Sequence, residues 1–290
     1  MKEFQYFKPD NLLEAISLAA QFKSGSSLLA GGTDLVVQMK RGIKSPTCVI
    51  NLKGISELNG ITFSLEKGLF IGPLVTHNTL GEHPIICEKY SLLAEAARLI
   101  GTYQVRERGT IGGNICNGSP AADTIPPLLC LGAKLKLLKS GKETIMGIED
   151  FFEGPQKTKL GPDEILTEIQ VPTLKLNTGG AYVKLGVRKS LEIAVVGAAV
   201  LITLDKDKKT CLKAKIALAS VAPIPLLCKK AETILLGKRI EEPIIHQAAK
   251  SAQEEAIPIT DVRGTAEYRR EMVYVLAKKA LYQALKRAID

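Results

Sequence analysis

The sequence contains no tryptophan, and its aromatic residues amount to only 5% of 290 positions. A surface that stacks bases is therefore poorly supplied. The net charge is +9, but lysine and arginine are spread along the chain without a basic run, so no nucleic acid is expected as a partner. A solvated basic surface, an acidic partner or an anionic ligand accounts for the charge. There are three histidines (His77, His83, His246) and six scattered cysteines (Cys48, Cys87, Cys116, Cys130, Cys211, Cys228) with no Cys-x-x-Cys pair. Neither a disulfide framework nor a protein-built zinc or iron–sulfur site is indicated, and no metal is expected on this chain. No stretch approaches the roughly 20 apolar residues of a membrane-spanning helix, and "MKEFQYFKPD" lacks the apolar run of a signal peptide. The expectation is a cytoplasmic protein without a membrane span. Two phosphate-binding signatures are also missing, the Gly-x-Gly-x-x-Gly turn and the Gly-x4-Gly-Lys-Ser/Thr loop.

What remains is ordinary in bulk, 46% hydrophobic and 24% charged, enough for one large core or two modest ones. "DNLLEAISLAAQFKSG" reads as an amphipathic helix with Asp10 as candidate N-cap and Gly25 as its stop. "SSLLAGGTDLVVQMKRG" passes from a short strand through a Gly-Gly turn into a second helix, capped by Thr33 or Asp34 and running through Arg41. "TCVINLKG" is another strand, and "LNGITFSLEKGLFIGPLVTHNTLG" reads as strands joined by a Lys67-Gly68 turn. "SLLAEAARLIG" is helical, and "AKLKLLKSGKETIMG" alternates like a hairpin with one wet face. The character changes after Pro172, and a domain boundary is expected near residue 175. Three β-rich runs follow (about 180 to 187, 194 to 204 and 211 to 220), then helices, the last with apolar positions at Met272, Val275, Leu276, Leu281 and Leu285.

Glycines carry the chemistry. Backbone N–H groups crowd around an anion only where no Cβ obstructs them. Both "AGGTD" at 30–34 and "TIGGN" at 110–114 allow that, and two such loops suit a linked diphosphate better than a single phosphate. A lone Gly-Gly is more often just a tight turn, so the residues by themselves reach only a possible diphosphate cradle.

Five stretches in this order, "LLAGGTDLVVQMKRG", "IGPLVTHNTL", "VRERGTIGGNICNGSPAADTIPPLLCLGA", "DEILTEIQVP" and "DVRGTAEYRREMVYVLAKKAL", resemble the FAD-binding medium subunits of the molybdenum hydroxylases, a group that includes xanthine, nicotinate and carbon monoxide dehydrogenases. The resemblance implies an α+β protein: a two-lobed FAD-binding domain of the vanillyl-alcohol-oxidase/MurB-like superfamily over residues 1–175, with lobes 1–57 and 58–175, and a smaller domain at 176–290 whose antiparallel sheet is packed by helices. It implies FAD contacts at Ala30, Gly31, Gly32, Thr33 and Asp34, and at Thr110, Ile111, Gly112, Gly113 and Asn114. Asp123 matches a position that contacts the polar middle of the cofactor, where a ribose hydroxyl suits a carboxylate. Ile100 and Leu166 match apolar positions lining the flavin. Lys184 matches a lysine near the ring, where it would stabilise negative charge.

The family frame also implies partners. A large molybdopterin subunit oxidises the substrate, a small subunit carries [2Fe-2S] clusters, and this chain would pass electrons through FAD to a soluble acceptor, NAD or NADP among the candidates. The flavin does the redox chemistry, so no general base or nucleophile is expected here. Many members have an Asp-aromatic-Ala run after a basic pair, whereas this chain reads "RKSLEIA", with Glu192 for the acid and Ile193 for the aromatic. That looks more like xanthine dehydrogenases than carbon monoxide dehydrogenases. Leu191 stands where some NAD-reducing members carry an acid, which argues against NAD. The cysteine-rich insertion of the hydroxybenzoyl-CoA reductases is missing. A xanthine- or nicotinate-type dehydrogenase is the preferred context, with carbon monoxide dehydrogenase or a stand-alone FAD oxidoreductase as alternatives.

Overall fold

A computed structural model describes residues 1–188 and 190–290. Strand β1 (Gln5–Phe7) leads into helix α1 (Leu12–Phe22), whose N-cap is Asn11 and not Asp10. Spacing decides this: Asn11, three positions before Glu14, accepts the Glu14 N–H on Oδ1 at 2.9 Å, while Glu14 Oε2 reaches back to the Asp10 N–H at 3.0 Å. Strand β2 (Ser26–Leu29) then turns through the first glycine loop into α2 (Leu35–Lys40), and β3 (Cys48–Asn51) closes a three-stranded parallel sheet in the order β1-β3-β2. Parallel neighbours require crossovers, which the two helical segments supply.

The next part is built on an antiparallel sheet of order β4-β5-β10-β6-β7. Its strands are β4 (Ile61–Ser64) and β5 (Gly68–Ile71), joined by the expected turn, the hairpin β6 (Lys134–Lys139) and β7 (Lys142–Gly147), and β10 (Ile165–Val171); a small hairpin of β8 (Phe152–Gly154) and β9 (Lys157–Thr158) intervenes. Between β5 and β6 run six helices: α3 (His77–Glu82), α4 (Pro84–Lys89), α5 (Ser91–Arg98), α6 (Tyr103–Arg108), α7 (Ile111–Asn117) and α8 (Ile125–Leu131). Helix α3 departs from the sequence reading, which ran strands through "PLVTHNTLG". Thr76 Oγ1 accepts the Thr79 N–H at 3.2 Å and starts a helical turn there. Every residue of α8 is buried, as a helix apolar on all sides must be.

The last part is a four-stranded antiparallel sheet, β11 (Thr178–Leu185), β12 (Val196–Leu204), β13 (Cys211–Ala219) and β14 (Leu226–Leu227), with α9 (Lys229–Leu235), α10 (Glu242–Glu255) and α11 (Ala266–Ile289). All of β12 is buried, because α11 packs on one face and α8 on the other. Its five Val, Leu and Ile side chains contribute on the order of 1.5–3 kcal/mol each. Helix α11 meets this sheet through Ala277, Ala280, Ala284 and Ala288 as well as Leu276 and Leu281, while Val275, expected in the apolar stripe, is 47% exposed. Small residues let the backbones approach: a Cβ on Gly179 would lie 2.2 Å from the Ala284 carbonyl oxygen. Arg287 of α11 bonds both the Gly180 carbonyl (2.6 Å) and Glu95 of α5, tying this part to the one before it.

Candidate functional site

A cleft of about 590 Å³ is lined by the first glycine loop on one side and by the second loop, Asp123, Leu166 and residues 191–193 around it. That volume lies within the roughly 300–1,000 Å³ typical of cofactor and ligand sites. The first loop meets the backbone of the residues just before the second. A Cβ on Gly31 would lie 2.1 Å from the Arg108 carbonyl oxygen, and Gly109 fits between the His77 ring and the Thr33 hydroxyl, its Cβ position 3.2 and 3.5 Å from them. Gly31 is therefore required by this junction, whatever the cleft holds.

The loops differ in what their donors do. In the first, the N–H groups of Gly31, Gly32, Thr33, Asp34 and Leu35 have no acceptor among the described residues, and Asp34 makes no capping bond. Gly32 adopts a φ of 80°, a left-handed conformation that turns these donors together. In the second loop the donors are committed. Ile111 N–H donates to Val75 O (3.0 Å), Gly112 N–H to Pro73 O (2.9 Å), Gly113 N–H to Thr110 Oγ1 (3.0 Å) and Asn114 N–H to Thr110 O (3.0 Å). What this loop offers the cleft is the bare Cα of Gly113 and the Asn114 side chain. The Asn114 Oδ1 accepts from the Thr124 hydroxyl at 2.6 Å, which directs its amide Nδ2 elsewhere.

Of the residues singled out in the sequence, Ala30, Gly31, Gly32, Thr33, Asp34, Ile100, Thr110, Gly112, Gly113, Asn114, Asp123 and Leu166 line the cleft. Ile111 and Lys184 do not. Ile111 is fully buried in the core that also contains Ile115. The Lys184 ammonium spends its three hydrogens on Asp123 Oδ2 (2.7 Å), the Leu99 carbonyl (3.0 Å) and the Glu192 carbonyl (2.9 Å). It is a clip behind the wall that joins three segments. Asp123 also accepts from the Tyr182 hydroxyl at 2.6 Å. Burial raises the Asp123 pKa while Lys184 and Tyr182 pull against it, and the Tyr182 hydroxyl is pushed well above its ordinary range.

Residues without a role in the sequence reading also face the cleft. His77 is 3% exposed, and its Nδ1 has no hydrogen-bond partner among the described residues. Burial, then the charge of Arg106, lowers its pKa to about 4, so the ring is neutral near pH 7. A capping threonine just before one of only three histidines was the available signal. Lys44 and Gln38 stand near Asp34 at the other end; desolvation raises the Asp34 pKa, opposed by Lys44. Burial pushes the Cys116 thiol up to about 12, which leaves it unreactive.

Residues 2–174 match the family model described as the FAD binding domain in molybdopterin dehydrogenase, and residues 181–284 match the CO dehydrogenase flavoprotein C-terminal domain. The chain belongs to the FAD-binding medium subunits of the molybdenum hydroxylases. This medium subunit is 37% identical to the carbon monoxide dehydrogenase medium chain of Hydrogenophaga pseudoflava over 97% of this chain and 96% of that one. It is 31% identical to the nicotinate dehydrogenase FAD-subunit of Eubacterium barkeri, covering 98% and 97% of the two chains. The solved carbon monoxide dehydrogenase from Hydrogenophaga pseudoflava superimposes with a TM-score of 0.94 at 35% identity, covering 99% of this chain and 98% of that one. The end of the segment "RKSLEIA" borders the cleft through Leu191, Glu192 and Ile193. Leu191 (φ 53°) and Ile193 are about half exposed there, and the Leu191 N–H is fixed to the Gly101 carbonyl at 3.1 Å. Glu192 pairs with Arg188 at 2.8 Å, which lowers its pKa; Lys189, the second residue of the basic pair, lies outside the described residues.

Proposed function

We propose that this medium subunit holds FAD in the cleft and relays electrons from a small [2Fe-2S] subunit, itself fed by a large molybdopterin subunit, to a soluble acceptor. The observation that carries the reading is the run of five backbone donors from Gly31 to Leu35 on the cleft wall, unpaired among the described residues. An anion with several oxygens satisfies them together, as a diphosphate does. When bound, the isoalloxazine ring supplies the redox chemistry, receiving single electrons and delivering a pair.

The chain's own residues divide the remaining work. The first loop binds the diphosphate, with the Asn114 amide as a further donor. Asp123 uses one lone pair on each oxygen for Lys184 and Tyr182 and keeps acceptor capacity for a ribose or ribityl hydroxyl. Ile100 and Leu166 exclude water from the ring, and Lys184 acts through Asp123, adding positive potential behind the wall. Within this reading residues 1–175 form the cofactor-binding domain, in lobes 1–57 and 58–175, and residues 176–290 the C-terminal domain. Six free cysteines suit a reducing cytoplasmic setting.

For the complex we prefer a xanthine- or nicotinate-type dehydrogenase, on the aliphatic Ile193 at the cleft mouth. A carbon monoxide dehydrogenase is the second reading, favoured by the higher identity to that medium chain. NAD or NADP remains a candidate acceptor, with Leu191 arguing against NAD. The reading is tested by the visible spectrum of the purified chain before and after incubation with FAD. Bound FAD is expected in the wild type and not in a folded Gly113→Asp variant, whose carboxylate would enter the diphosphate's space. A folded wild type that takes up no FAD would sink it.

A further inference from the structure

We propose that His77 is a diphosphate-binding residue of this cleft: its ring, seated where the first glycine loop meets the residues just before the second, presents an N–H to a phosphate oxygen of the dinucleotide. The assignment rests on the FAD reading above and extends it to a side chain outside both glycine motifs.

Position comes first. The His77 ring packs against Gly109, and Gly109 in turn lies against the Thr33 hydroxyl of the first loop. The ring therefore sits one residue's thickness from the unpaired donors. Its backbone N–H donates to Gly109 O at 3.0 Å, which ties the residue to the junction. Arg106, the nearby cation, is likewise held, by Asn78 Oδ1 (3.1 Å) and the Ile100 carbonyl (2.9 Å).

Then comes the unmet demand. A buried polar atom without a partner costs free energy, and such atoms are rare in folded proteins. Here Nδ1 is shut off from the cleft and unpaired, while Nε2, beside the Cδ2 edge that meets Gly109, also has no partner among the described residues on a side chain that lines the cleft. A neutral imidazole carries one N–H and one acceptor nitrogen, and its tautomer is ordinarily fixed by whatever the second nitrogen bonds. No partner in the described structure fixes it, so a phosphate oxygen can select the tautomer that donates. Depression of the pKa keeps the ring neutral, and a diphosphate oxygen in the cleft supplies an acceptor for the Nε2–H.

The experiment is calorimetric titration of the full chain with ADP, which carries the diphosphate but no flavin, and with riboflavin, which carries flavin but no phosphate. His77→Phe is expected to weaken ADP about tenfold or more, as for loss of a hydrogen bond to a charged group, and to leave riboflavin binding unchanged. The ligand-free variant should unfold at an equal or higher denaturant midpoint, because the unpaired atom is gone. A purely structural histidine would lower that midpoint and disturb both ligands alike. ADP binding by folded His77→Phe as tight as in the wild type overturns the proposal. Should that variant not fold, ring-¹⁵N spectra of the wild type decide: with three histidines the signals are assignable, and collapse of His77 to a single tautomer on ADP addition supports the assignment, whereas unchanged His77 signals overturn it. A folded wild type that binds neither FAD nor ADP removes the FAD reading and this assignment together.

Discussion

The two glycine loops carry nearly the same letters and do opposite things with their main chain. In and just after "AGGTD" the donors from Gly31 to Leu35 have no acceptor among the described residues and the Gly32 φ is left-handed, whereas in "TIGGN" the donors from Ile111 to Asn114 are all bonded within the protein. The first loop leaves its donors open to the cleft, and the second is held by the protein itself. A glycine pair therefore says that the backbone comes close to something, and only the surrounding acceptors say whether that something is protein or ligand. Gly112 makes the point within one motif: a Cβ there would lie 2.4 Å from the Pro73 side chain, while Gly113 next to it meets nothing closer than 3.0 Å.

The comparison can be broken most violently at Gly31. Gly31→Ala drives a methyl into the Arg108 carbonyl, and because the blocking atoms are main chain the cost should exceed the about 1–3 kcal/mol usual for overpacking. Loss of both the denaturation midpoint and flavin uptake is expected; a variant of wild-type stability would show that the first loop does not meet that carbonyl. Next in size is Lys184, the most heavily committed side chain beside the cleft. Lys184→Met leaves Asp123 buried without its cation and should cost about 3 kcal/mol in denaturant unfolding, with part recovered in Lys184→Met plus Asp123→Asn. No recovery would mean that Lys184 matters only for its bonds to Leu99 and Glu192.

A smaller effect probes the uncommitted side by pH. The His77 pKa is about 4 in the folded chain against the ordinary histidine value of 6.5, so between these values the unfolded chain binds the proton and the native state does not. The contribution is absent above pH 6.5 and becomes increasingly destabilising as pH falls to about 4, reaching about 2–3 kcal/mol. Unfolding curves at pH 7 and 4.5 should diverge more for the wild type than for His77→Phe, and equal divergence would dismiss the buried neutral ring. The least effect on stability is expected at Gly113. Gly113→Ala gains helix propensity, about 1 kcal/mol, against a close contact with Thr110 Oγ1, so stability should hold while FAD affinity drops. Unchanged affinity would place the cofactor away from the second loop.

Much of this architecture was legible locally. The hairpins at Lys67-Gly68 and Ser140-Gly141, the three long strands and the last helix follow from turn chemistry and periodicity. Legibility failed where the deciding partner is distant in sequence. The acceptors that occupy the second loop are the carbonyls of Pro73 and Val75, and the groups that saturate Lys184 belong to residues near 99, 123 and 192. Helix α3 was missed because its six residues carry too little periodicity against a preceding apolar run, and His77 was missed with it. The face of α11 was only half read, since its alanines are weak apolar signals that a close-packed sheet nonetheless selects.

The Lys184 clip also bears on the order in which the chain acquires its shape. Its bonds close loops of 61 and 85 residues, and the Arg287 contact with Glu95 closes one of 192. Such distant closures are slow to form and come after local hairpins and helices. Asp123 cannot receive its cation until β11 has docked, so in refolding experiments the ability to quench added FAD fluorescence should lag behind the far-ultraviolet signal. Newly made chains would thus pass through an interval in which both glycine loops exist as turns while the pocket they frame is still unfinished.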